Sequence, residues 1–118
     1  MSYRSPDALL PLTPVAFEIL LALADEPLHG YAILQAVEAR LSGLLPLRTG
    51  TLYRSLARLL EDELIEEAAA RDSTDERRRC YRITTHGRKV AALEAARLEG
   101  QVVAARARRL LPSRKLRP

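Results

Sequence analysis

The chain has 118 residues, long enough for one compact domain and too short for two. Apolar residues make up 47%, charged residues 29% and aromatic residues only 4%, which excludes a disordered tail and describes a soluble core built on Leu, Ala, Ile and Val. The net charge of +4 hides an asymmetry: residues 1–70 carry five Arg against ten acids (−5), whereas residues 71–118 carry fourteen Lys or Arg against five acids (+9), a balance that suits either a polyanionic partner or a solvated basic face.

In chain order, the first predicted helix starts at Thr13-Pro14, where a hydroxyl can cap free amides and proline fits the first helical position. Val15, Ile19, Leu20 and Leu23 recur at helical spacing, and Asp25-Glu26-Pro27 ends the run because proline disfavours helical geometry in the residue before it. A second helix follows His29-Gly30, with Ile33, Leu34, Val37 and Leu41 along one stripe, and stops near Ser42-Gly43. His29 is expected to pack or cap at the start of that helix. The extended segment Leu44-Leu45-Pro46-Leu47 offers room for a short strand.

Thr49-Gly50-Thr51 opens a third helix, placed at about 50–63 by its pattern. Its two faces are sharply different: Leu56, Leu59 and Leu60 fall within about 80° of Leu52 on a helix of about 100° per residue, and Thr51, Arg54, Arg58 and Glu61 lie opposite. Leu64-Ile65-Glu66-Glu67 then reads as a strand and Cys80-Tyr81-Arg82-Ile83 as a second, with Tyr81 and Ile83 on one face. The polar stretch from Arg71 to Arg79 joins them as a hairpin with basic residues near its tip and along its return.

The last helix is capped by Thr84 or Thr85 and is expected to run about 25 residues to Pro112, too long to be stable in water without packing against something. Val90, Leu93, Ala96, Gly100 and Val103 follow one another at three- and four-residue steps, and the small members permit close helix approach. A second copy of the chain related by a two-fold axis is the expected cover; the alternative is a helix lying across its own domain with a frayed tail.

Enzymatic chemistry finds little support. The only histidines are His29 and His86 and the only thiol is Cys80, and no carboxylate, histidine and nucleophile fall where the helices would bring them together. Neither zinc spacing nor a glycine-rich phosphate loop occurs, so no metal or cofactor is expected. Cys80 lies beside Arg79 and Arg82 and reads as a buried strand thiol. No run approaches the roughly 20 apolar residues that span a bilayer, the first residues lack the features of a secretory signal, and a single cysteine forms no internal disulfide, so no membrane association and a cytoplasmic location are expected.

Leu12-Thr13-Pro14, Ile19 to Leu23, Pro27-Leu28-His29-Gly30-Tyr31-Ala32-Ile33, Gly50-Thr51-Leu52-Tyr53-Arg54-Ser55-Leu56, Leu64-Ile65 and Arg77 to Thr84 with Gly87-Arg88 together resemble PadR-type transcriptional regulators over residues 12–90. The resemblance implies a winged helix-turn-helix, mainly α with a small β-hairpin, that dimerises through a long C-terminal helix and usually represses genes, in some members in response to small aromatic compounds. Two departures from the pattern keep a plausible helix start: Thr49 where the family commonly has proline, and Thr85-His86 where it commonly has Pro-Glu. Nothing follows the final helix, so the compact branch, without a separate ligand-binding domain, is expected. The corresponding division is an N-terminal arm (1–11), a winged helix-turn-helix (12–84, wing about 64–83), a dimerisation helix (85–111) and a basic tail (112–118).

In such a layout the third helix enters the major groove, which is wide enough to admit it and displays a distinct donor and acceptor pattern for each base pair. The candidate contacts to double-stranded DNA on this helix are Thr49, Thr51, Tyr53, Arg54, Ser55 and Arg58; Arg54 reaches either a base edge or a phosphate, and Tyr53 either a phosphate or the edge of the core. Tyr31 and the wing residues Arg71, Arg77, Arg78 and Arg79 are assigned to backbone or minor groove, against a plainer reading of the three consecutive arginines as a soluble hairpin tip. The competing function is a winged helix that binds protein, which the polar and basic outer face of the third helix disfavours. A small-molecule effector, if one binds, is expected where the last helix meets its mate and the first helix, with Phe17 and Leu93 as candidates.

Overall fold

The computed structural model describes residues 5–41, 47–68 and 79–112. A short 3₁₀ turn, Pro6–Leu9, precedes α1 (Pro14–Leu23), β1 (Leu28–His29), α2 (Gly30–Leu41), α3 (Thr49–Glu61), β2 (Ile65–Glu67), β3 (Cys80–Ile83) and α4 (Thr85–Ala107). The start of α1 follows the local chemistry of its residues: the Thr13 hydroxyl accepts from the Ala16 amide at 3.1 Å, and Pro14 supplies a fixed φ where no amide is needed. Thr84 caps α4 in the same way, accepting from the Gly87 amide at 2.9 Å.

The strands form one antiparallel sheet in the order β1-β3-β2. Leu28 faces Tyr81 and His29 faces Cys80 on one side of β3; Ile65 faces Ile83 and Glu67 faces Tyr81 on the other. β1 was not expected from the sequence, because two residues are too few to show alternation and a strand this short exists only through its partner. His29 accordingly stands exposed on that strand instead of packing at the start of α2. Cys80 is partly buried, not fully.

Ile19, Leu20 and Leu23 of α1, Ile33 and Val37 of α2, and Leu52, Leu56 and Leu59 of α3 meet Leu64, Ile65, Tyr81 and Val90 in one core. Full burial of each such aliphatic side chain stabilises the fold by about 1.5–3 kcal/mol, so the three helices and the sheet form one cooperative unit. The turn from α3 to β2 is closed by the Leu64 amide donating to the Leu59 carbonyl and the Glu63 amide donating to the Leu60 carbonyl, with Glu63 in the left-handed region at φ 62°. Thr84 fastens this turn to α4: its hydroxyl donates to the Glu63 carbonyl at 2.8 Å and its amide to the Leu64 carbonyl at 3.1 Å. Close approach here requires glycine at 87, since a Cβ would lie 2.0 Å from the Leu64 carbonyl oxygen.

α4 buries only His86, Gly87, Val90 and Glu94 against its own domain. Val90 therefore departs from its expected place in a dimerisation stripe: it is fully buried in the core, because the first turns of α4 still cover the sheet. Leu93, Ala96, Gly100 and Val103 are exposed. The helix ends at Ala107, short of Pro112, because the Leu110 amide turns back to the Ala105 carbonyl and the Arg109 amide to Arg106, with Arg109 left-handed at φ 62°. Glu94 holds the arm before α1: its carboxylate accepts from the Leu12 amide and is clamped by Arg97, with bonds of 2.9 and 2.7 Å. The segment 44–46 of the expected extended stretch lies outside the described residues.

Candidate nucleic-acid interface

α3 divides as a helix with leucine on one side and cations on the other must. Leu52, Leu56 and Leu59 anchor it in the core, which leaves Arg54 and Arg58 exposed one turn apart, with Thr51 and Ser55 partly exposed beside them. Arg54 donates from Nη2 to the Thr51 hydroxyl at 3.3 Å, and Arg58 Nε stands 3.5 Å from an Asp62 carboxylate oxygen. Both are surface interactions of little strength, so either guanidinium can exchange its partner for a phosphate or a base edge at low cost.

Thr51, Arg54, Ser55 and Arg58 share one cleft of about 420 Å³, whose opposite wall is the arm Ala8 to Thr13. Thr49, at the first turn of α3, is exposed. Tyr53 is half-buried and packs against the core.

Tyr31 is 51% exposed on the first turn of α2, and its neighbour Gly30 donates its amide to the Arg79 carbonyl at 3.2 Å. This bond, together with the pairing of β1 with β3, brings Tyr31 and Arg79 onto adjacent backbone, a proximity that 47 intervening positions conceal in the sequence. Arg79 stands 3.8 Å from Glu67, and Arg82 bonds Glu66 at 2.8 Å, so cross-strand carboxylates accompany the cations at the base of the wing. Arg71, Arg77 and Arg78 lie outside the described residues.

Sequence reasoning missed three parts of this region. The arm residues Leu9, Leu10 and Pro11 form the cleft wall, Asp62 pairs with Arg58, and Glu66 and Glu67 pair with wing cations. Only the Arg58 and Asp62 pair had a readable signal, their i,i+4 spacing. Phe17 and Leu93, the expected effector residues, do not line this cleft; Phe17 is half-buried on α1 and Leu93 is exposed on α4. Among the described residues no group of three or more metal-ligating side chains occurs, and no helix is long and apolar enough to cross a membrane.

Three helices on a small antiparallel sheet, with the polar side of the third helix outward and a long helix appended, define a winged helix-turn-helix protein. Residues 19–93 match the Transcriptional regulator PadR-like family, and the chain belongs to that family, one of regulators and not of enzymes. A protein of Streptomyces fradiae carried in a transposon, itself uncharacterized, is 42% identical over 87 residues; the match covers 71% of this chain and spans only 24% of that relative's length. The fold is similar to a transcriptional regulator from Clostridium thermocellum (TM-score 0.67, 26% identity, 79% of this chain and 87% of that one). It is also similar to PadR of Bacillus subtilis in complex with operator DNA (TM-score 0.58, 21% identity, 70% of this chain and 45% of that one).

Proposed function

We propose that the chain is a sequence-specific repressor in the cytoplasm that grips an inverted-repeat operator as a homodimer and is released by a small molecule. The observation that carries this reading is the outer face of α3, where Arg54 and Arg58 stand exposed one turn apart beside Thr51 and Ser55. A helix of this kind fits the major groove, and its arginines can bond two acceptors of a base edge at once. Arg79, Tyr31 and the wing would then hold the flanking backbone. The operator complex of the Bacillus subtilis relative supports the assignment of DNA as partner.

The homodimer rests on α4. Beyond Glu94 the helix buries none of its residues, while Leu93, Val102 and Val103 stand exposed along it. Gly100, which costs a mid-helix position about 1 kcal/mol relative to alanine, has open space where its side chain would be, so nothing within one chain accounts for it. Close approach of a second α4 accounts for both features.

Selecting duplexes from a random pool tests the whole reading. The expected product is two inverted half-sites separated by about one helical turn, bound with an affinity that falls steeply with salt. Unselective binding, or none at low salt, would reject it in favour of a protein partner.

A further inference from the structure

We infer that Arg54 reads one guanine in each half-site, that Gly50 and Thr51 are positioning residues holding its guanidinium for that contact, and that Arg58 serves the phosphate backbone instead. The inference rests on the reading of α3 as a helix in the major groove and goes one step further, from the groove to the base.

The side chain of Arg54 folds back over the first turn of its own helix. Nη2 donates to the Thr51 hydroxyl at 3.3 Å, and Nη1 lies 3.3 Å from the point where a Cβ on residue 50 would stand. Long helical side chains lean toward the N-terminus, and a side chain at position 50 would crowd this one. Gly50 is helical and exposed, so neither a special backbone conformation nor core packing calls for glycine there, although glycine is a poor helix former. The guanidinium occupies the space that the missing Cβ leaves.

That placement suits a base edge. The N-terminal turns of a recognition helix are the part that meets the bases, and Arg54 is exposed there with only a methyl group, that of the exposed Ala57, one turn further on. The bond to Thr51 uses one of five N–H donors and a neutral acceptor, so the planar fork keeps its charge and its other donors for a partner outside. In the major groove guanine alone offers two adjacent acceptors, O6 and N7, to such a fork; adenine pairs its acceptor with a donor, thymine with a methyl group, and cytosine shows a donor.

Arg58 is placed differently. It lies one turn further along α3, and its Nε stands 3.5 Å from an Asp62 carboxylate oxygen. A cation held by a carboxylate at the far half of the helix can exchange that partner for a phosphate, a contact that needs charge and carries no sequence information. The two arginines therefore divide the work, one specifying and one anchoring.

The test is selection of duplexes from a random pool by the full chain, then fluorescence anisotropy on the selected duplex with each half-site guanine replaced in turn by 7-deazaguanine, which lacks the N7 acceptor. One replacement should weaken binding by the parent about tenfold or more and have no effect on Arg54→Ala, with a thermal melt to show that the variant is folded. Arg54→Lys should keep the parent's salt dependence while losing preference for that guanine by about ten- to a hundredfold, because an ammonium lacks the fork. Thr51→Val and Gly50→Ala should each lower the preference several-fold, Thr51→Ser should restore it, and Gly50→Ala should melt no lower than the parent. Arg58→Gln should weaken all duplexes alike and reduce the salt slope by about one. If Arg54→Ala weakens every duplex alike and leaves the selected sequence unchanged, Arg54 is a phosphate contact and the inference is overturned while the DNA reading stands. If Thr51→Val and Gly50→Ala keep the parent's preference, or Gly50→Ala melts lower, the positioning roles fall. A parent that selects no sequence sinks the DNA reading, and this inference with it.

Discussion

Arg58 and Asp62 show how a single carboxylate can set the strength of a cationic surface. Asp62 is mostly buried and stands 3.5 Å from the Arg58 guanidinium, so a phosphate approaching Arg58 must first displace it. Asp62→Asn is expected to raise affinity for duplex DNA a few-fold and to steepen its salt dependence, as measured by fluorescence anisotropy. Glu61→Gln is the control, since it changes net charge equally from an exposed position; an equal gain in both variants would mean that only overall charge matters. Glu94 presents the opposite case, a carboxylate fully committed to structure. Hydrogen bonds from Arg97 hold it below its ordinary value of 4.5 against the opposing effect of burial, and the Leu12 amide adds to the lowering. A folded form that binds its proton more weakly than the unfolded chain is stabilised above that ordinary value and loses the contribution as pH falls through it and below. Glu94→Gln should therefore flatten the acid limb of the stability curve, and at neutral pH should lower stability by about 1–3 kcal/mol in a denaturant titration, with Arg97 and the Leu12 amide poorly satisfied.

Among the elements, the joint between the α3 turn, β2 and α4 fixes how the recognition surface sits on the rest of the domain. Thr84 bonds the Glu63 and Leu64 carbonyls, and Gly87 lies so close to Leu64 that any side chain collides with backbone. Gly87→Ala should cost about 1–3 kcal/mol, as overpacking against unyielding atoms does, and a thermal melt should show it even though alanine is the better helix former. The left-handed Glu63 predicts the reverse. Glycine adopts φ 62° without steric cost, so Glu63→Gly should raise stability by about 1 kcal/mol, or several degrees in the melting midpoint. A lowered midpoint would show that contacts of the Glu63 side chain outweigh its backbone strain.

At the scale of the whole molecule, α4 sets the shape. The radius of gyration is 16.0 Å, against about 13 Å for a compact chain of this length, and the longest dimension is 52 Å. The excess reflects a helix whose second half leaves its own domain with Val102 and Val103 exposed and ends at Ala107. Light scattering should report a dimer, and Val103→Glu should reduce its mass to that of one chain while the secondary structure of the winged domain persists. A parent protein that is already monomeric would leave the exposed stripe unexplained and remove the two-fold basis for an inverted repeat.

The amino-acid sequence by itself determined the elements whose signals are local. Thr13-Pro14 and Thr84 mark helix starts through side-chain chemistry within one turn, the leucines of α3 select its buried face through the helical period, and the alternation of Tyr81 and Ile83 assigns a strand face. The exposed row of Arg54 and Arg58 was legible for the same reason, because burying one side of a helix exposes the other. Tertiary structure alone decided β1, the burial of Val90, the proximity of Tyr31 and Arg79, and the cleft between the arm and α3. Each of these depends on residues distant in the chain meeting in space, and such meetings are settled by the packing of the whole core, which no local period records.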